Sequence, residues 1–434
     1  METKTGRWKL TAALVGMLAS APGWAAGTFN DGDGGESAIA PTSTPAMATE
    51  FAGRLTWGGY GQFDYRRLDF FQNAQDTTPE TRARTDLRRF VLEPRVQLAP
   101  SIHFVAEIEI EHGGVGSTVE YEPEEAGEFE AEIEQGGEVV LENAFLQFSH
   151  SSAINWRVGE MTVPIGMLNR YHRPTQHFTI DRSLAESALI PGTWHDFGIA
   201  LVGEIGSSRY RMMLVRALDS TSFSGYRFVS DGSRRRLEYG EASDIALVLA
   251  AEHVVVPQAV IGASFYHGDS AGNRPRGGLD TSANVTLFEI HSRWERGPLT
   301  VRAEYLVGRL QNADKVTQAN FNTFNSGELG VSRTPIGSRA DAYFVEVGYD
   351  VLSLQGLRDD RLDVFARFDA YDTHADVTGT IARNQRYRRD AVTLGINYRP
   401  IADVVLKAEF SRRSNDGSTA NEQDAFGLAV GFQF

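Results

Sequence analysis

After residue 53 the chain alternates apolar and polar residues in runs of about ten positions. In the first run Phe63 and Tyr65 lie on one face, whereas Gln62 and Asp64 lie on the other. Such alternation is typical of β-strands with one apolar face, and the run length suits strands that cross a membrane beside a polar lumen. We count about sixteen runs, at 54–66, 86–98, 101–111, 139–149, 153–160, 196–205, 209–218, 243–254, 257–268, 284–296, 298–310, 340–351, 361–373, 388–399, 402–413 and 422–434.

The connections between these runs alternate in length. Short breaks fall at 99–100, 149–152, 205–208, 255–257, 297–298 and 400–401. Long breaks fall at 67–85, 112–138, 161–195, 219–242, 269–283, 311–339, 374–387 and 414–421. Outer-membrane barrels have this arrangement, with short periplasmic turns and longer outer loops. The sequence therefore predicts an all-β fold, a transmembrane antiparallel β-barrel of about sixteen strands over 53–434, with both chain ends on the periplasmic side.

Two soluble folds compete with the barrel. A secreted β-sandwich would not carry about sixteen long strands that all have one apolar face, and a β-helix would show a short sequence repeat, which the chain lacks. In lipid, an open sheet edge would leave backbone groups unpaired, so the strands are expected to close on themselves. The terminal Phe434 favours the same interpretation, because an aromatic residue that ends an amphipathic strand resembles the signal for outer-membrane assembly.

The first residues predict export. Lys4, Arg7 and Lys9 precede an apolar stretch at 10–21, and Pro22, Gly23 and Ala25 then offer a small-residue cleavage site after Ala25. This order is that of a signal peptide, here 1–25, whose apolar stretch is too short to span a bilayer. Residues 26–52 are rich in Gly, Ser, Thr, Pro and Asp and predict a flexible linker. An acidic stretch at 31–36 lacks the ligand spacing and the helices of a calcium loop.

The break at 161–195 is too long for a hairpin turn. We expect it to form an irregular loop that folds back into the barrel and narrows it. Arg170 and Arg173, three positions apart, are suited to hold an anion with their planar guanidinium groups. The alternative is that Arg173 and Arg182 pair with Asp181 or with wall acids and pin the loop. The candidate constriction residues are Arg170, His172, Arg173, His177 and Arg182.

A family resemblance lies in the same region. The segment GEMTVPIGMLNRY at 159–171 is followed by FTIDRSLAESALIP and then HDFGIALVG. These segments resemble the phosphate-selective porins of the O and P type, most clearly over 157–204. The resemblance implies a homotrimeric porin that passes phosphate-type anions. Such a porin lies in the outer membrane of a Gram-negative bacterium and arrives there after export through the periplasm.

Charge and motif content limit the other possibilities. The net charge of −15 argues against nucleic acid as a partner, and the chain has no cysteine. No His, Ser and Asp arrangement, phosphate-binding glycine loop or metal-ligand spacing stands out, so we expect no enzyme, no catalytic residue, no cofactor and no metal. If the apolar faces meet lipid, the lumen wall is mixed in charge, and its basic residues include Arg66, Arg89, Arg95, Arg157, Arg302 and Arg367.

These observations predict a porin in contact with outer-membrane lipid that passes small hydrophilic solutes, with anions such as phosphate favoured. Two features favour a general or cation-preferring porin instead: the 161–195 loop contains no lysine, whereas the family draws on lysines as well as arginines, and the 112–138 break holds nine glutamates. A barrel plugged by its loop, acting as a surface structural or adhesion protein, is the alternative outside transport.

Overall fold

A computed structural model describes residues 53–73, 75–121, 131–233, 240–275, 279–325, 333–356, 359–419 and 421–434, and for 115–121, 131–136 and 324–325 the backbone alone. The predicted signal peptide and linker lie outside these ranges. Sixteen strands form one closed antiparallel barrel. They are β1 (Leu55–Thr56 and Gly59–Phe70), β2 (Glu80–Leu92 and Arg95–Ala99), β3 (Ile102–Tyr121), β4 (Ala131–Ser149), β5 (Asn155–Thr162), β6 (His195–Ile205), β7 (Ser208–Arg216), β8 (Ile245–Val256), β9 (Ala259–Asp269), β10 (Asn284–Arg296), β11 (Leu299–Leu310), β12 (Arg339–Asp350), β13 (Arg361–Asp376), β14 (Arg388–Ile401), β15 (Val404–Asn415) and β16 (Ala425–Gln433).

The helices are short and lie between strands. They comprise the α-helices α1 (Leu184–Leu189) and α2 (Ala313–Asn320), the 3₁₀ turns Ser220–Ser222, Ser230–Ser233, Val351–Gln355 and Gln385–Tyr387, and the π turn Phe321–Asn325. In the described part of the chain, no helix combines the length and the apolar character needed to cross a membrane.

The barrel closes between its first and last strands. β16 pairs with β1, with Phe432 opposite Gly61. Phe434 N–H donates to the Gly59 carbonyl at 2.9 Å, and Gly59 N–H donates back at 3.0 Å. In β2 the ladder is interrupted at Pro94, which has no N–H to donate. Every strand thus has two neighbours, which is how a sheet avoids unpaired edges in lipid.

The predicted strand count and the alternation of connection lengths are confirmed. Eight connections of 9–32 residues alternate with seven others, of which six have 2–5 residues and the β12–β13 connection has ten. The strand ends agree with the sequence within a few residues at most positions. The 112–138 break differs: β3 continues to Tyr121, and β4 begins at Ala131. The backbones of the two strands still pair there, with Val119 opposite Ile133. Strand pairing uses backbone N–H and C=O groups, so a glutamate-rich stretch can take part in it.

The outward face carries the apolar residues that alternation predicted. Phe63, Trp156, Ile199, Leu394 and Phe410 are each 44–55% exposed. Because a soluble protein rarely exposes so continuous an apolar surface, this face is the one that suits contact with lipid.

The inward face is not uniformly polar, which the alternation did not predict. Toward the long connections, β7–β12 point apolar residues inward, among them Val215, Val248, Leu287 and Phe344. They pack with apolar residues of the 163–194 connection in one buried cluster. Charged residues also point inward. Glu289, two residues after Leu287 on β10, and Asp363 of β13 are both fully buried. The barrel therefore has an internal apolar core as well as a polar wall.

We predict that Gly159→Ala destabilises the barrel strongly. Gly159 has φ +138°, and an added Cβ would lie 2.3 Å from the Ala144 carbonyl oxygen of β4. A left-handed backbone costs a residue with a side chain about 1–2 kcal/mol, and the contact adds to that cost because a backbone atom cannot easily move. The thermal midpoint of unfolding in detergent should fall clearly.

The matched control is Gly206→Ala in the β6–β7 turn. Gly206 has φ +61° and nothing within 4 Å of its would-be Cβ, so only the backbone cost applies. Equal losses of midpoint in the two variants would show that the close approach at Gly159 is unimportant.

Candidate pore and internal loop

The 163–194 segment between β5 and β6, here called the internal loop, begins in a constrained conformation. Gly166 has φ +87°, and a Cβ there would lie 2.2 Å from a carboxylate oxygen of Glu186. That carboxylate accepts the backbone N–H groups of Leu168 and Asn169 at 3.1 and 3.2 Å. Ser183 caps α1 and accepts from Glu186 N–H at 3.3 Å. The glycine of the sequence motif therefore makes room for the carboxylate that organises the loop.

The backbone of the internal loop is hydrogen-bonded by inward side chains of the wall. Lys407 of β15 donates to the His177 and Thr179 carbonyls at 3.0 and 2.7 Å. Asn397 of β14 donates to the Phe178 carbonyl at 2.8 Å. Gln62 of β1 also donates to the Ile180 carbonyl at 3.1 Å. In the other direction, loop N–H groups donate to wall carboxylates: Met167 to Glu304 at 2.7 Å, Ile180 to Glu409 at 2.8 Å and Ala185 to Asp369 at 3.3 Å. The loop is thus fixed to strands from several sides of the barrel.

Three predicted loop residues pair with wall carboxylates. Arg170 lies 3.1 Å from Glu252, and Arg173 lies 2.6 Å from Glu93. His172 Nε2 lies 3.4 Å from Glu107. The Arg173 contact is of the kind expected in the alternative in which Arg173 and Arg182 pin the loop, whereas that role for Arg182, and a role for Arg170 or Arg173 as an anion ligand, stay predictions.

The other two predicted loop residues have different surroundings. His177 is buried, and burial together with the nearby Lys407 cation holds the pKa of this loop imidazole well below its usual range. Its ring is therefore neutral near pH 7. The Nε and Nη2 atoms of Arg182 are buried and have no hydrogen-bond acceptor in the described part of the chain.

The predicted wall arginines lie on barrel strands. Arg66 binds Asp181 of the internal loop, and Arg367 donates to the Asp181 carbonyl at 3.3 Å. Arg302 pairs with Glu346 at 2.7 Å. The remaining members of the set are Arg89, 3.5 Å from Glu109, Arg157, which donates to Gln147 at 2.9 Å, and Arg95 in the second part of β2.

A small cavity, with about 30 Å³ of space for water, lies between the internal loop and the wall formed by β13–β16 and β1. Arg182 of the loop faces strand residues across it. Its charged lining consists of Arg66, Arg182, Arg367, Arg413, Asp181, Asp369 and Glu409. Three predicted residues, Arg66, Arg182 and Arg367, are brought together here, whereas Arg170, His172, Arg173 and His177 do not line this cavity.

Sequence reasoning missed two features of this cavity. Arg413 has the same parity as Lys407 and Glu409 on β15, so a stricter use of alternation would have found it. Asp181, which binds both Arg66 and Arg88, was considered only as a possible partner for loop arginines. Nothing in the sequence indicates that strands β1 and β2 supply its partners.

Comparison with known proteins supports the fold without giving a family. No family model matches the chain. An uncharacterised protein of Aquifex aeolicus is 26% identical over 380 residues, which cover 87% of this chain and 79% of that protein.

Solved structures with a similar fold include outer-membrane channels. The outer-membrane channel DcaP of Acinetobacter baumannii superposes with a TM-score of 0.53 at 12% identity, covering 88% of this chain and 97% of that one. An anion-selective porin from Comamonas acidovorans has a TM-score of 0.53 at 11% identity, with coverage of 88% and 99%. The chain therefore has a porin-type barrel fold.

We predict that Lys407→Met loosens the internal loop. The substitution removes the donor to two buried loop carbonyls, each of which costs about 1–3 kcal/mol when left unpaired. Trypsin should then cleave after loop arginines that are protected in the parent protein, as mass spectrometry of the fragments would show.

Lys315→Met is the matched control, because Lys315 on α2 is exposed and is the other lysine after the predicted signal peptide. If Lys407→Met leaves the loop as resistant as Lys315→Met does, the lysine bonds do not hold the loop.

Proposed function

We propose that this protein is an outer-membrane porin of a Gram-negative bacterium, through which small hydrophilic solutes diffuse, with a preference for anions. The observation that carries the proposal is the cavity beside the internal loop, lined by four arginines and three carboxylates inside a barrel with an apolar exterior. No catalytic role is assigned to any residue.

The internal loop determines the width of the passage in this proposal. Its apolar residues, including Ile165, Leu189 and Trp194, are buried against the inner face of the barrel wall. Its polar edge, at residues 179–182, faces the cavity. Solutes therefore pass along β13–β16 and β1, where the wall is polar, rather than through the apolar core.

The preference for anions follows from the pairing of charges along the passage. Asp181 is held by Arg66 and Arg88, so its charge is compensated. Arg182 has no such acceptor for its Nε and Nη2 atoms. The guanidinium of Arg182 is buried with Glu109 and Glu142 as nearby acids, and the cavity lining holds four arginines against three carboxylates. In this proposal the excess positive charge attracts anions, phosphate among them, because clusters of one sign set selectivity where a pore is narrow.

A second candidate is a barrel closed by its loop that acts as a surface structural protein. The internal apolar core favours it, because the core fills part of the interior that an open pore would leave to water. Recording in a planar bilayer separates the two: the porin conducts, and the closed barrel does not.

The family resemblance extends the proposal to a homotrimer. Light scattering of the detergent-solubilised protein, corrected for bound detergent, would give three chains per particle if this holds. A particle of one chain would remove the trimer from the proposal and leave the channel.

We predict that Arg182→Ala lowers the anion-to-cation permeability ratio roughly three- to tenfold, since one unit charge a few ångströms from the path contributes about 1 kcal/mol. The ratio is measured as the reversal potential of the purified protein in a planar bilayer under a KCl gradient. Added phosphate should also block the parent current more strongly than the variant current.

Arg296→Ala serves as the control, since Arg296 is an exposed residue at the β10–β11 turn. A reversal potential that favours cations in the parent protein, or one that Arg182→Ala does not change relative to Arg296→Ala, would contradict the proposed anion passage.

A further inference from the structure

Three buried side chains meet where the internal loop contacts β3 and β4, and the sequence had led us to expect no metal site. Glu107, Glu142 and His172 are 2–5% exposed, and one ligand-type atom from each lies within 4.8 Å of the others. Two come from neighbouring strands and one from the loop. This is the one such group of three in the described part of the chain.

A β-bulge creates this arrangement. Glu107 pairs with Asn143, but the next residue, Ile108, pairs with Leu141, so Glu142 is an extra residue in β4. The bulge buries both Glu142 and Asn143, although neighbours in a regular strand point to opposite faces. Bulges that redirect a side chain are frequent beside functional sites.

The surrounding bonds orient the ligand atoms. Glu107 accepts from the Tyr60 hydroxyl at 2.9 Å and from the Asn143 amide at 2.6 Å. His172 Nδ1 lies 3.3 Å from the Asn169 carbonyl, which accepts a hydrogen bond only from a protonated Nδ1. In neutral imidazole the lone pair is then on Nε2, which faces the Glu107 carboxylate at 3.4 Å. A backbone carbonyl commonly fixes a metal-binding histidine in this way.

Three buried carboxylates at this place, those of Glu107, Glu109 and Glu142, share two neighbouring arginines, Arg89 and Arg182. Glu142 Oε2 is buried without a hydrogen-bond donor among the described residues. Glu109 adjoins Glu142, Arg89 lies 3.5 Å from Glu109, and Arg182 of the internal loop is the second nearby cation. Burying several carboxylates together is costly unless a cation or protons neutralise them. The Nε2 lone pair of His172 and the Glu142 oxygen would both point at that cation.

We propose that Glu107, Glu142 and His172 bind a divalent transition-metal ion of the zinc type, which ties the internal loop to β3 and β4. Two carboxylates and one imidazole suit Zn²⁺ or Co²⁺, whereas Ca²⁺ and Mg²⁺ prefer oxygen ligands alone. The three atoms lie within 4.8 Å of one another, and binding in this proposal requires side-chain rotations that bring them to the roughly 3.4 Å spacing of ligands around tetrahedral zinc. The site is independent of whether the barrel conducts.

The test uses the full-length protein in detergent after treatment with a chelator. Equilibrium dialysis with Zn²⁺ should give one tightly bound ion per chain, and Co²⁺ should give the intense visible absorption of a four-coordinate ion, displaced by Zn²⁺. Glu142→Gln preserves the size of the side chain and should lower Zn²⁺ affinity at least 100-fold, as should His172→Ala, because each removes one of three ligands.

His195→Ala is the matched control. His195 is a buried histidine bonded to Glu160 at 2.6 Å, without a third ligand, and its loss should leave the affinity unchanged. Absence of stoichiometric Zn²⁺ binding by the parent protein would overturn the proposal. So would binding that survives both Glu142→Gln and His172→Ala, because the ion would then be held elsewhere, for example by the glutamates of 120–138.

Discussion

The structure depends on how the internal loop satisfies its backbone hydrogen bonds inside the barrel. A strand gives its N–H and C=O groups to its neighbours, but an irregular segment within the barrel has no such neighbour, and each buried unpaired group costs free energy. Wall side chains take that role here. Lys407 and Asn397 donate to loop carbonyls, while Glu304 and Glu409 accept from loop N–H groups. Many buried charged residues of the wall thus have a structural reason to be present.

The same constraint explains why most loop arginines are paired. Because the wall supplies hydrogen-bond acceptors to the loop, wall carboxylates surround the loop. Arg170 and Arg173 form ion pairs with two of them, Glu252 and Glu93. A buried arginine paired with one carboxylate attracts a passing anion less than a free one does. The apolar half of the loop needs no such partners, because it is stabilised by burial against β6–β12.

The fold could be predicted from the sequence because barrel strands follow a strict period of two. That period gave the strands, the alternation of connections and the inward position of Arg66, Arg302 and Arg367. It could not show which strands the loop would contact, since those bonds join residues far apart in sequence, such as Lys407 and His177. It also failed at Glu142, where one extra residue in β4 breaks the period and turns a carboxylate inward.

Pairing, rather than the number of basic residues, limits which loop residues can affect ion selectivity. Of the five basic loop residues, Arg170, His172 and Arg173 contact wall carboxylates. His177 is neutral because it is buried beside a lysine. Of these five, Arg182 is the residue that lines the cavity. The internal loop therefore brings one arginine to the cavity lining, where it lies with Arg66, Arg367 and Arg413 of the wall. If the proposed passage exists, the sign of its selectivity depends on how these four cations compare with Asp181, Asp369 and Glu409.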